Sequence, residues 1–293
     1  MHIGIITCEI LRKEIREVIR GTDVDEVFFV LPETTNSVIT VRYQTIIDRF
    51  SSEFDEDGLV VKEKTLEKIA REIHERDLKD SVIINVLELQ MHDYPDKLLA
   101  EIEDSIKQLS SVVDCILLGY GLCGITAGAL ERVINRAKVP VVIPRDEKGA
   151  ILNNCIEIAL SREKVQTLLN EEIGTFFMTP AGAALIKEPQ VILESSINII
   201  AGRMNRHAAA DTPHIIKLMK DHYNRVVKIW YFEADMKDPE YVQTVENFAR
   251  KFNLEIKPIK GSAKIMCETL NAVKVHNGLT DKRGSAPLTP KTL

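Results

Sequence analysis

Short runs of β-branched and aliphatic residues alternate along this chain with longer stretches in which apolar positions recur every third or fourth residue. That rhythm is the signature of stacked strand–helix–strand units, which build an α/β fold of mostly parallel sheets with flanking helices. The first unit joins a buried strand, Ile3–Thr7, to a helix over Glu9–Arg20 whose apolar face carries Ile10, Leu11, Ile15, Val18 and Ile19. Val27–Leu31 is a second strand. A polar, irregular stretch then runs from Pro32 to Gly58, with a helical pattern inside it over Val38–Phe50. Lys62–Arg76 reads as a helix and Ser81–Leu87 as a strand. Pro95–Leu109 is a helix with proline in its first turn, where a missing N–H costs nothing.

Cys115–Gly119 is the next strand, followed by the loop Gly119–Gly124 and a helix to about Arg136. Val139–Ile143 is a strand ended by Pro144, and Cys155–Asn170 is a helix. Gly174–Met178 is a short extended piece that Pro180-Ala181-Gly182 breaks. Residues 181–206 show no clear period, and their apolar part, 190–201, suits a core or a surface between copies of the chain in a homo-oligomer. Alternation then returns with a helix at Thr212–Tyr223, a strand at Val226–Phe232, a helix at Pro239–Phe252, a strand at Leu254–Pro258 and a helix at Ala263–Val273. The end, from His276 to Leu293, has little to bury and reads as a disordered tail. The pattern suits one composite domain over 1–273, or two Rossmann-like lobes, 1–180 and 205–273, sharing a cleft.

Composition narrows the function classes. The 293 residues are 45% hydrophobic and 28% charged, as expected of a chain with a sizeable core. A net charge of −6 gives no electrostatic basis for a nucleic-acid partner. No apolar run reaches the ~18–20 residues that a membrane-spanning helix needs. The N-terminus carries no basic leader and turns charged by Glu9, so it reads as a first strand. Five cysteines, odd in number and irregular in spacing, do not form a secreted disulfide framework and point to the cytoplasm.

Chemistry in a parallel sheet gathers beyond the carboxyl ends of the strands, where loops vary and helices begin. Cys8 follows the first strand there, Cys123 lies in the loop after Cys115–Gly119, and Cys155 opens the helix after Val139–Ile143. Three separate loops thus bring one cysteine each to the same edge. A first-turn thiol is expected to have a depressed pKa, which favours the thiolate that binds metal. Cys115, at the start of a strand, and Cys267, on an apolar helix face with Ala263, Met266, Leu270 and Val273, read as small buried hydrophobes. Position alone leaves that same reading open for the other three. Gly119, Gly121 and Gly124 match G-x-G-x-x-G and, with Arg145, could cradle a small anionic group, with Asp146 as the acidic residue of a dinucleotide site. Leu122 and Cys123 stand where phosphate would lie, which argues against that last reading. Asn153 and Asn154 are candidate helix caps, Thr179 a turn former, and His92, Asp93 and His207 loop residues. Glu9 suits either a helix dipole or acid–base work beside a metal. No histidine is expected at the cysteine edge, so a thiol nucleophile lacks its base. No catalytic acid–base pair can be assigned.

Several short motifs together resemble a known family. Ile5-Ile6-Thr7-Cys8-Glu9, Leu117-Leu118-Gly119-Tyr120-Gly121-Leu122-Cys123-Gly124, Val142-Ile143-Pro144-Arg145, Asn154-Cys155-Ile156 and Gly174-Thr175-Phe176-Phe177-Met178-Thr179-Pro180 occur in this order. The set resembles the domain of unknown function 1638 family of archaeal and anaerobic bacterial proteins, over roughly residues 1–273. The resemblance implies that Cys8, Cys123 and Cys155 recur together as a site. It also implies, through genes encoded nearby, a link to corrinoid-dependent methyltransferases and one-carbon metabolism. Two departures stand out: Asn153-Asn154 where the family has His-Asp, and Thr179-Pro180-Ala181-Gly182 where it has Thr/Ser-Pro-Gly-Trp. The expectation is therefore a three-cysteine metal site. It would hold an iron–sulfur cluster, as the anaerobic setting suggests, or zinc with an open fourth position. The competing expectation is a non-catalytic accessory module. It would use the glycine loop and Arg145 to hold a small anion or a corrinoid or methyltransferase partner.

Overall fold

The computed structural model describes residues 1–33, 37–55, 59–186 and 222–276. The expected tail, most of the helix expected at Thr212–Tyr223, the apolar stretch 190–201 and His207 lie outside the described residues. Six strands form the larger sheet: β1 (His2–Cys8), β2 (Glu26–Val30), β3 (Val61–Lys64), β4 (Ser81–Leu87), β5 (Cys115–Gly119) and β6 (Val141–Val142). Their order is β3-β2-β4-β1-β5-β6, and every pairing is parallel. A second parallel sheet has the order β7-β8-β9, from Thr175–Met178, Arg225–Trp230 and Glu255–Lys260. This is the α/β architecture expected from the alternation.

The helices are α1 (Arg12–Arg20, after a 3-10 turn at Glu9–Leu11), α2 (Ser37–Asp55), α3 (Leu66–Glu75), α4 (Pro95–Leu109) and α5 (Ala127–Asn135). After them come α6 (Cys155–Leu160), α7 (Arg162–Glu171), α8 (Pro180–Ile186), α9 (Glu233–Lys237), α10 (Pro239–Phe252) and α11 (Lys264–His276). Side chains alternate across the larger sheet as the two-residue period requires. Ile3 and Ile5 of β1 meet Ile15, Val18 and Ile19 of α1 and Met266 and Leu270 of α11 on one face. Ile6 and Cys8 meet Leu98 and Ile102 of α4 on the other. The last helix therefore returns from the second sheet to close the first, and Cys115 is a fully buried core residue as expected.

Some elements differ from the sequence reading. Residues 62–64, expected in a helix, belong to edge strand β3. Lys62 there pairs with Glu26 at 2.8 Å and Glu72 at 3.0 Å, and Lys64 pairs with Glu72. Charged side chains on an edge strand hide its β character and block pairing with another chain. At the opposite edge, β6 keeps only two of the five expected residues. The helix expected over Cys155–Asn170 is two helices, because Ser161 adopts a positive φ of 74° between them. Pro180-Ala181-Gly182 opens α8, with the Thr179 hydroxyl accepting from the Gly182 N–H at 2.9 Å.

The carboxyl ends of the two sheets meet over α1. Tyr231, directly after β8, donates its hydroxyl to Glu14 of α1. Lys13 bridges Glu53 at 2.8 Å and Asp235 at 3.0 Å, and Arg16 lies 5.2 Å over the Phe232 ring.

Candidate functional site

Cys8 is the last residue of β1, one position beyond the Thr7–Gly119 pair and opposite Leu87 of β4. The chain leaves the sheet there for the 3-10 turn, and the thiol is 1% exposed. Cys123 is reached from the neighbouring strand β5 through Tyr120-Gly121-Leu122. The loop is fixed by its backbone: Leu122 N–H donates to Leu152 O and Cys123 N–H to Asn153 O, both at 2.8 Å. This lays the Cys123 loop along the segment that leads into Cys155. Gly121 makes the approach feasible, since a Cβ there would stand 2.5 Å from Asn154 N. Cys123 itself has a left-handed φ of 46°, as an irregular, closely held turn can require.

Cys155 is the first residue of α6. The Asn154 side chain caps that helix, accepting from Ile156 N–H at 3.0 Å and Glu157 N–H at 3.1 Å. Asn153 donates to Glu157 from its backbone at 2.7 Å and its side chain at 2.8 Å. Asn154→Ala should therefore cost about 1 kcal/mol, the usual value of an N-cap, measured by chemical denaturation.

The three thiols act on one another. Burial pushes the Cys8 thiol well above its ordinary pKa, with Cys155 adding to the effect. Burial likewise pushes Cys123 up to about 12, with Cys8 adding to it. Cys155 is raised too, by burial first and then by Cys123 and Glu14. The expected depression is thus corrected: loss of water opposes the thiolate more strongly than the start of a helix favours it. Cys8 and Cys123 belong to the packing on one face of the sheet and Cys155 to that on the other. Among the described residues no three His, Cys, Asp or Glu side chains are already arranged to hold a metal ion.

The model of a family described as a protein of unknown function, DUF1638, matches residues 86–270. The chain belongs to the DUF1638 family. No curated protein and no solved structure matches it. The matched span of this DUF1638 protein holds Cys123 and Cys155, while Cys8 lies outside it.

Around the thiols are groups that sequence reasoning passed over. Tyr120, inside the glycine loop, is 1% exposed, and its hydroxyl is buried without a hydrogen-bond partner. Burial raises its pKa far above the ordinary value, and the charges of Cys8, Cys123, Tyr43 and Cys155 add to the effect. His92, in the 3-10 turn after β4, stacks on the Tyr120 ring at 5.6 Å between centroids, with Nδ1 2.7 Å from Leu89 O. A histidine does therefore lie at the cysteine edge, contrary to expectation, and it also has the loop-capping bond expected of it. Glu9 is buried and pairs with Arg49 at 3.2 Å. Glu14 is fully buried; Tyr231 holds Oε1, while Oε2 has no hydrogen-bond partner. Burial lifts the Glu14 carboxyl to about 7, against the opposing pull of the Tyr231 bond.

The remaining candidates stand apart from the thiols. Arg145 pairs with Glu131 at 2.7 Å and donates to Gly149 O at 3.0 Å. Asp146 pairs with Arg162 and accepts from Lys148 and Ala150 N–H at 3.0 and 2.9 Å. A Cβ on Gly119 would sit 3.0 Å from Thr7 Oγ1, and Gly124, with φ +87°, faces Pro95. The glycines thus fit the loop to its neighbours in the protein. The N–H groups of Leu122 and Cys123, which a phosphate would need, already bind the 152–153 backbone.

Proposed function

We propose that this DUF1638 protein binds a metal centre, an iron–sulfur cluster or zinc, through Cys8, Cys123 and Cys155. The observation that carries this reading is one thiol in each of three loops at the same sheet edge, Cys8 buried and Cys123 and Cys155 partly so, with the buried, unpartnered Tyr120 hydroxyl in the loop that bears Cys123. The charges that raise the thiols are one another, Glu9 and Glu14, all negative when ionised. Such a group can ionise in the protein interior only when a multivalent cation balances it. Three thiolates form a soft donor set, suited to zinc or to iron–sulfur clusters rather than to magnesium or calcium. When bound, the centre would supply Lewis acidity or electron transfer.

The residues of the chain hold the ligands and limit access to water. β1 and β5 fix Cys8 and the start of the glycine loop, and the 152–154 segment ties the Cys123 loop to the start of the helix that Cys155 opens. The family resemblance supports a place in anaerobic, corrinoid-linked one-carbon metabolism, with a corrinoid protein or methyltransferase as partner. The five cysteines are free, which fits a reducing cytoplasm. Among the described residues, no helix is long and apolar enough to cross a membrane.

Metal analysis with visible absorption on anaerobically prepared protein tests the proposal. Brown protein with broad visible absorption means a cluster, and colourless protein with stoichiometric zinc means a single ion. Cys8→Ser, Cys123→Ser and Cys155→Ser should each abolish loading. Metal-free wild-type protein, or three variants that load normally, would overturn the reading and favour the accessory-module alternative.

A further inference from the structure

We propose that the carboxyl edge of the smaller sheet is a second ligand site, where Lys228 and Lys260 bind the carboxylate or phosphate group of a small molecule. The inference does not depend on the three-cysteine reading, since none of its residues belongs to that site. Lys228 lies on β8, the central strand of its sheet, and is 6% exposed. Among the described residues no carboxylate pairs with its ammonium and no hydrogen bond holds it; its contact is the face of the Tyr241 ring, 5.0 Å away. That ring is itself buried, with its hydroxyl donating to Met178 O at 2.8 Å and Ile229 O at 2.6 Å. The ammonium is therefore held against the protein, where a lysine kept only for its stem would carry its head out to water. A buried cation without a counter-ion is costly, and a ring face offsets part of that cost. Burial lowers the pKa of the amine even though Glu246, Asp238 and Asp235 act against it. Asp235 is committed to Lys13 and to the Tyr231 and Phe232 N–H groups, and Asp238 caps α10.

The register of the sheet brings a second cation to the same end. Residues paired across parallel strands point to one face, and so do residues two apart on a strand. Lys228 pairs in register with Met178 and Pro258, and Trp230 pairs with Lys260. Lys228, Trp230 and Lys260 thus share the face that carries Met178, Val226 and Tyr241. Lys260 is the last residue of β9, exposed, with its ammonium 5.3 Å over the half-buried Trp230 ring. Strand spacing and rise put the Cα atoms of the two lysines about 8 Å apart, a span that one anionic group can bridge between two long side chains. Ligands of parallel sheets collect at this end of the strands. Two ammonium groups beside an aromatic ring suit a small anion with an apolar part.

The test is calorimetric titration of the full chain with inorganic phosphate and, separately, with succinate, at constant ionic strength. Wild type should bind at least one of them; phosphate alone means a phosphate-bearing ligand, and succinate alone a carboxylate. Lys228→Met keeps the stem and removes the charge. It should weaken binding by about 10-fold or more, as loss of a charge-assisted hydrogen bond does. Without ligand it should be at least as stable as wild type, because an unpaired buried charge is gone. Lys260→Met, at the exposed end, should weaken binding by about 3-fold. Lys264→Met, 74% exposed on α11, is the control and should bind as wild type does. If Lys228→Met does not fold, acetylation of wild-type amines followed by mass spectrometry decides: the bound anion should slow modification of Lys228 and leave Lys264 unaffected. Wild type that binds neither anion, undiminished affinity in Lys228→Met, an equal loss in Lys264→Met, or unprotected Lys228 would overturn the site.

Discussion

Gly121→Ala is expected to lower the stability of the fold by roughly 2–4 kcal/mol and to abolish metal loading. The added Cβ would stand 2.5 Å from Asn154 N, 2.7 Å from Asn154 Cα and 2.8 Å from Asn153 C. All three are backbone atoms, so no side-chain rotation relieves the clash and one of the two segments must move. The Leu122–Leu152 and Cys123–Asn153 hydrogen bonds join those segments, so the movement breaks them and separates Cys123 from Cys155. Gly128→Ala is the control: it lies within α5, and its nearest neighbour is the mobile end of Arg132 at 3.8 Å. Alanine there should stabilise by about 0.5–1 kcal/mol through helix propensity. Urea denaturation of both variants checks the contrast. Equal stability of Gly121→Ala and wild type would mean that the two loops are not packed as described.

The same loop shows what could be read before the structure. Elements with clean periodicity and plain end signals, such as β4, α4, β5 and α10, lie where the sequence places them. The family, too, was legible in the motifs around Cys8, Cys123 and Cys155. β3 was obscured because Lys62, Glu63 and Lys64 look like a solvated helix face until their ion pairs across the sheet edge are seen. Ser161 breaks a helix without proline or glycine, so no local signal announces it. The edge placement of the cysteines followed from counting strand ends. Their pKa direction did not, because the first-turn argument is local and burial is a property of the whole fold. Glu14 and Tyr231 lie 217 positions apart, and each reads alone as an ordinary residue of its element. Only the packing of the second sheet against α1 makes them a pair. Tyr120 reads as a spacer between two glycines until its hydroxyl is found buried without a partner.

Metal-free protein should lose stability as pH rises through 7, and Glu14 is the reason. Its carboxyl moves from an ordinary pKa of 4.5 to about 7 in the folded state, chiefly through burial. Between those values the folded protein holds a proton that the unfolded chain has released. The contribution is therefore complete below about 4.5 and is lost as pH rises through about 7. At about 1.4 kcal/mol per tenfold change in proton affinity, the loss is roughly 3 kcal/mol. Lys13, Glu53, Tyr231 and Cys155 face the same carboxyl, and other groups titrate over this range, so the useful quantity is the difference from Glu14→Gln. Glutamine keeps an oxygen for the Tyr231 hydroxyl and cannot ionise. The stability of wild type relative to Glu14→Gln should fall by about 3 kcal/mol between about pH 4 and about pH 8, measured by urea denaturation with chelator present. A flat difference would show that the carboxyl is not buried as described.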